Sequence, residues 1–83
     1  MCILVAETPS PAALREINAA YAFLETSARP EIGRLVELCH PEAGTILGRV
    51  TGLMEDGISV GFDRGEGAVA FALAAVAADM SRP

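Results

Sequence analysis

The apolar run Cys2-Ile3-Leu4-Val5-Ala6 is short and branched, as suits a β-strand covered on both faces, and Thr8-Pro9 ends it. Pro9-Ser10-Pro11 then reads as a helix start, with Ser10 as N-cap and Pro11 at the first helical position. Leu14, Ile17, Tyr21 and Leu24 follow at spacings of three and four and make one apolar stripe, with Arg15, Asn18 and Glu25 away from it. Pro30 pushes the residue before it out of the α region and separates this helix from the next. Residues Glu31 to Cys39 place Ile32, Leu35, Val36 and Cys39 on one face of a second, shorter helix that stops near Pro41. Gly33 costs that helix about 1 kcal/mol relative to alanine.

Residues 45–63 form the hairpin. Glu55-Asp56-Gly57 supplies a three-residue loop with Gly57 in the left-handed position of a bulge. That loop sets Met54 opposite Ile58, Gly52 opposite Val60, Val50 opposite Phe62 and Arg49 opposite Asp63. One face then gathers Ile46, Val50, Met54, Ile58, Val60 and Phe62. The tail carries seven alanines in residues 68–78, which favours a helix. Val69, Leu73, Val76 and Met80 make one face of it, while Phe71 lies among Ala74, Ala75 and Ala78 on another. Such a helix is apolar all round and is buried on both sides. Val69, Phe71 and Leu73 also alternate as a third hairpin strand would. The order β-α-α-β-β-α predicts an α/β fold of α+β type, a small two-layer sandwich. Its three-stranded sheet, with the 45–63 hairpin, is covered by helices.

Seven of the eight glycines lie between Gly44 and Gly67. In the predicted register Gly48 and Gly52 open a shallow trough on the apolar face. A helix can approach closely there, or a ligand can be held with Arg49 and Arg64 beside it. Strand, glycine-rich loop and helix over 58–78 is also the layout of many phosphate sites. Gly61-x-x-x-Gly65-x-Gly67 nevertheless lacks the lysine and hydroxyl of a P-loop, and Asp63 and Glu66 repel an anion.

Length and charge narrow the function. The 83 residues make one compact domain, 1–83, whose own core is marginal. An apolar fraction of 52% and a mean hydropathy of +0.40 exceed what so small a core hides, which leaves apolar surface for a partner. Eleven acidic residues stand against six scattered arginines and no lysine, so no basic stripe exists to neutralise phosphates, and nucleic-acid binding is excluded. No run approaches the roughly 20 apolar residues that span a bilayer, and no basic n-region precedes the first apolar run. A cytoplasmic location without membrane contact is expected.

Candidate chemistry is sparse. Cys39-His40, with Cys2, is the only nucleophile-and-base material, and neighbours on a helix point about 100° apart. Cys2 meets His40 only if the fold joins the first strand to the end of the second helix. Two cysteines and one histidine without paired spacing fall short of a zinc site, and a Cys2–Cys39 disulfide does not suit a cytosolic protein. Glu55, Asp56, Asp63 and Glu66 do not match an EF-hand loop. No catalytic residue, metal or cofactor is expected.

Met1-Cys2 is similar to the start of the small hydrogenase-maturation chaperones, which use a cysteine in that position. The resemblance covers these two residues, and those chaperones are short β-barrels, which two helices after the first strand do not fit. The sequence therefore predicts a small acidic non-enzymatic accessory subunit, regulator or inhibitor. It would act by protein–protein contact, as a homodimer or with another protein. Phe71, Ala74, Ala75 and Ala78 are the expected contact, because small residues permit close helix approach. The alternative is a small-ligand binder or minor enzyme on the glycine-lined hairpin, using Gly48, Arg49, Gly52 and Arg64, or His40.

Overall fold

The computed structural model describes residues 1–63 and 65–80. Six strands run in the order β1 (Cys2–Val5), β2 (Pro9–Ile17), β3 (Tyr21–Glu25), β4 (Leu35–His40), β5 (Gly44–Met54) and β6 (Gly57–Gly61), followed by helix α1 (Glu66–Met80). They close into an antiparallel barrel, β1-β2-β3-β6-β5-β4. Two three-stranded meanders, β1–β3 and β4–β6, meet at the β1–β4 and β3–β6 seams. The expected β-α-α-β-β-α sandwich with a three-stranded sheet is therefore incorrect. Both helices proposed for the first half are replaced by strands, and α1 is the one helix among the described residues.

The physical reason is a period misread. In β2 the pairing to β3 shifts between Leu14 and Glu16, so Arg15 is an extra residue. A bulge of this kind reverses side-chain parity. Leu14 and Ile17, three apart, thus both pack against the core, and the turn carries the pattern on to Leu24. Asn18 makes that turn: its side-chain oxygen accepts from the backbone N–H of Ala20 at 2.7 Å and of Tyr21 at 2.9 Å. A bulged hairpin has reproduced helical spacing. Arg15 pairs with Glu25 at 2.6 Å across the outer wall, an exposed contact of small energetic weight.

The second proposed helix is a crossover followed by β4. Val36, Leu38 and His40 are buried, while Leu35 faces out and Glu37 and Cys39 are half-buried, which is plain alternation. Leu35 and Cys39 on the outer wall, with Ile32 in the crossover, supplied the false 3–4 spacing. Gly33 is needed here for its backbone. Its φ of +91° is one of two positive values among the described residues, the other being Gly44 at +93° in the β4–β5 turn.

The hairpin exists, but its register is not the expected one. Glu55-Asp56 forms a two-residue loop that pairs Met54 with Gly57 and Leu53 with Ile58. A shift between Val50 and Gly52 then sets Val50 opposite Val60 and Arg49 opposite Gly61. The bulge sits at Thr51 rather than at the turn, and Gly57 does not take a left-handed conformation. Arg49 reaches the Gly33 carbonyl at 3.1 Å instead of pairing with Asp63.

The barrel interior is filled by Leu4, Leu24, Val36, Leu38, Val50, Ile58 and Val60, with alanines at positions 12 and 22. Of the strand expected to be covered on both faces, β1, only the Cys2–Leu4 side is buried, and Ile3 is exposed. Helix α1 packs against β5 and β2 and brings Ala68, Phe71, Ala72, Ala75 and Ala78 into contact with the barrel. Phe71 meets Phe62 edge-on at 6.3 Å and His40 at 6.2 Å. The crossover runs past the other end, where Thr26 Oγ1 donates to the Pro11 carbonyl at 2.9 Å.

One prediction concerns the first turn of α1. A Cβ built on Gly67 meets nothing within 4 Å. Gly67→Ala is expected to stabilise the chain by about 0.5–1 kcal/mol through the unfolded state, read as a higher urea midpoint at constant slope.

Candidate functional site: the outer face of the helix

Alanine content makes residues 66–80 helical, and Glu66 in the first turn complements the positive end of the helix. No residue from 67 to 78 is charged. One face is used to seal the barrel. The other carries Val69, Leu73 and Val76 at spacings of four and three, exposed by 46%, 66% and 40%. Helical geometry puts these three in one stripe. Ala72 and the β2–β3 turn complete a shallow open groove of about 260 Å³, lined by Ile17, Asn18, Ala19, Val69, Leu73 and Val76.

The sequence named the opposite face as the contact. Phe71, Ala75 and Ala78 are buried against the barrel and Ala74 is half-buried. The two stripes were both legible in the alanine-rich tail, and the structure packs the Phe71 stripe against the barrel and leaves the Val69 stripe exposed. Phe71 is the residue of the buried stripe that meets Phe62 and His40 at the barrel end.

The hairpin glycines do not come together. Gly48 is buried, and a Cβ there would sit 2.5 Å from Val60 Cγ1 and 3.1 Å from Phe62 Cδ1. Core side chains thus fill the trough expected at this position. The bulge at Thr51 lies between it and Gly52, where a Cβ would instead meet Ser59 Oγ at 2.9 Å, beside the Thr51–Ser59 hydroxyl pair. Gly48 and Gly52 therefore contact different neighbours and do not share one slot. Arg49 lies exposed with its guanidinium on Gly33, and Arg64 lies outside the described residues.

Cys2 and His40 do become neighbours. The β1–β4 ladder pairs Ile3 with Cys39, and Cys2 and His40 are the next residues along it. Both are buried, at 2% and 7% exposure. His40 Nδ1 accepts from the backbone N–H groups of Glu42 and Ala43, each at 3.1 Å, and so holds the β4–β5 turn. Two donors on Nδ1 place the proton of a neutral ring on Nε2. The thiol and imidazole are both interior groups, and His40 lies against Phe71 of α1. Cys39 is half-buried, its sulfur 3.5 Å from the Thr45 hydroxyl, and neither cysteine is in a disulfide. Among the described residues no group of three or more His, Cys, Asp and Glu side chains is placed to hold a metal ion. No described helix is long and apolar enough to cross a membrane.

Among the other exposed apolar side chains, two on β4 and β5 face a charged residue across the ladder. Leu47 is paired with Glu37, and Leu35 with Arg49. The stripe on α1 has no such interruption. Comparison with protein-family models, characterised proteins and solved structures finds no match for this chain.

Proposed function

We propose that this chain is a small acidic non-enzymatic accessory protein. It binds a protein partner through the outer face of α1 and the adjoining β2–β3 turn. The observation that carries the reading is the stripe Val69, Leu73 and Val76. These are three large aliphatic side chains left exposed on a helix whose other face is already buried, continuous with the groove at Ile17. Exposed apolar surface of this kind, free of charge, marks interaction sites. The contact first expected at Phe71, Ala74, Ala75 and Ala78 moves to the opposite face of the same helix. The small-ligand alternative draws no support from the hairpin, where Val60 and Phe62 occupy the space beside Gly48.

The similarity to hydrogenase-maturation chaperones at Met1 and Cys2 supports an accessory role. The two helices that argued against it are strands, and the chain is a short β-barrel as those proteins are. Cys2 itself is covered in this structure, so the proposed contact rests on the helix and not on the thiol.

Leu73→Asp tests the reading. The variant is expected to keep its circular dichroism and urea midpoint within about 0.5 kcal/mol, because the side chain faces outward. It should lose the partner that the wild-type chain captures from its native cell. Ile32→Asp, an exposed change in the crossover, should retain that partner. Retention by Leu73→Asp, or equal loss in both variants, would overturn the proposed surface. Sedimentation of wild type and Leu73→Asp separates self-association from binding to another protein.

A further inference from the structure

The end of the barrel away from α1 holds a second feature, independent of the helix surface. There the crossover meets the β1–β2 turn around an open cleft of about 370 Å³. Its polar lining is Glu7, Thr8, Ser10, Arg29, Glu31 and Arg34. They come from two separate stretches of chain, Glu7 to Ser10 around the β1–β2 turn and Arg29 to Arg34 in the crossover.

The two arginines are held differently. Arg29 donates to the Glu55 carbonyl at 2.8 Å and the Gly57 carbonyl at 3.2 Å. Its guanidinium is thereby fixed by backbone oxygens, and its positive charge is not neutralised by a carboxylate in that contact. Arg34 anchors its own backbone on β5, accepting from Val50 N at 3.0 Å while Gly33 N donates to the Val50 carbonyl at 2.7 Å. Its side chain is poorly satisfied. Nη1 lies 3.4 Å from Glu7 Oε1, long for a charge-assisted bond. Its Nε–H is buried and finds no acceptor among the described residues.

An unsatisfied buried donor on a guanidinium calls for a physical reason, because such groups are almost always paired. The arginine fork is built to grip a planar or tetrahedral oxyanion through two parallel N–H groups. Thr8 and Ser10 add hydroxyl donors in the same cleft. Glu7 and Glu31 both line the cleft and oppose an anion, but both are exposed, and the contact of Glu7 with Arg34 is long, so each can turn out to solvent. From this arrangement we infer that the cleft between the crossover and the β1–β2 turn binds a small oxyanion group, a phosphate or a carboxylate. The anion replaces Glu7 on Arg34, and the fixed charge of Arg29 draws it in.

The test is a titration of the full chain, labelled with ¹⁵N, read at the arginine Nε–H resonances. Inorganic phosphate and acetate are the two probes, and chloride at matched ionic strength is the reference. The Arg34 resonance is expected to shift saturably with phosphate or acetate and not with chloride, and the better probe identifies the anion class. Glu7→Gln removes the internal competitor and should tighten binding several-fold. Arg34→Lys keeps the charge but loses the fork and should abolish saturation, read in that variant at the Arg29 Nε–H and the backbone amides of the cleft. An unsaturable shift, a shift equal to that with chloride, or weaker binding in Glu7→Gln overturns the site. Should Arg34→Lys fail to fold, the wild-type and Glu7→Gln titrations decide the matter by themselves.

Discussion

Phe71→Ala is expected to destabilise the chain by about 3–5 kcal/mol, the range for truncating a buried phenylalanine. Phe71 is almost wholly covered, and it touches the rings of Phe62 and His40 where α1 meets the barrel. Alanine in its place leaves both rings facing a void that a six-stranded barrel cannot collapse to fill. Small domains have only about 5–15 kcal/mol of stability in total, so this one change removes much of it. Urea denaturation reads the effect as a lower midpoint with an unchanged slope. A loss below about 1 kcal/mol would mean that the helix does not seal the barrel as described. The contrast with Leu73→Asp, two residues along and on another face of the helix, is the useful one. The first change should alter stability and the second binding.

Gly57→Ala is the second large effect, and it acts on backbone. Gly57 pairs with Glu25 on β3 and with Met54 on β5. A methyl group there would overlap the Leu24 carbonyl oxygen and lie 3.0 Å from Glu25 Cα. No rotamer relieves a clash with main chain, and Arg29 also holds the Gly57 carbonyl. The cost therefore exceeds the 1–3 kcal/mol of ordinary overpacking, reaching about 4 kcal/mol or outright loss of the fold. Gly65→Ala, whose Cβ would meet nothing within 4 Å, is the matched control: it makes the same change to the unfolded chain without a clash and should not lower the urea midpoint. If Gly57→Ala denatured like the control, the β3–β6 seam could not be packed as closely as it is.

What the sequence revealed depended on whether a local pattern had one reading. The alanine-rich tail has few conformational rivals, and α1 is helical where the composition predicts it. β1 and the hairpin were also legible, since short branched runs between turn residues leave little choice. The first-half helices were not, because a bulge at Arg15 and a tight turn at Asn18 convert alternation into helical spacing. Pro9 and Pro11 looked like a helix start, yet each also suits a strand position that donates no ladder bond. The strand β4 could have been found from Val36, Leu38 and His40 alone, had the exposed Leu35 and Cys39 been set aside. At the candidate sites, the apolar stripe on α1 was visible in sequence, but which face the barrel would take was not. The grouping of Arg29, Arg34, Thr8 and Ser10 depends on barrel closure and left no local trace.

The two seams set how the chain must reach this fold. β1 completes its sheet only by finding β4, and β3 only by finding β6, with Ile3 reaching Cys39 and Leu24 reaching Ile58. Neither meander buries the shared core without the other, and the crossover is the only covalent joint between them. Formation of either seam holds the partners of the other close together, so the second closes at little further entropic cost. Pairing this distant along the chain makes the first seam the slow step expected of a non-local topology.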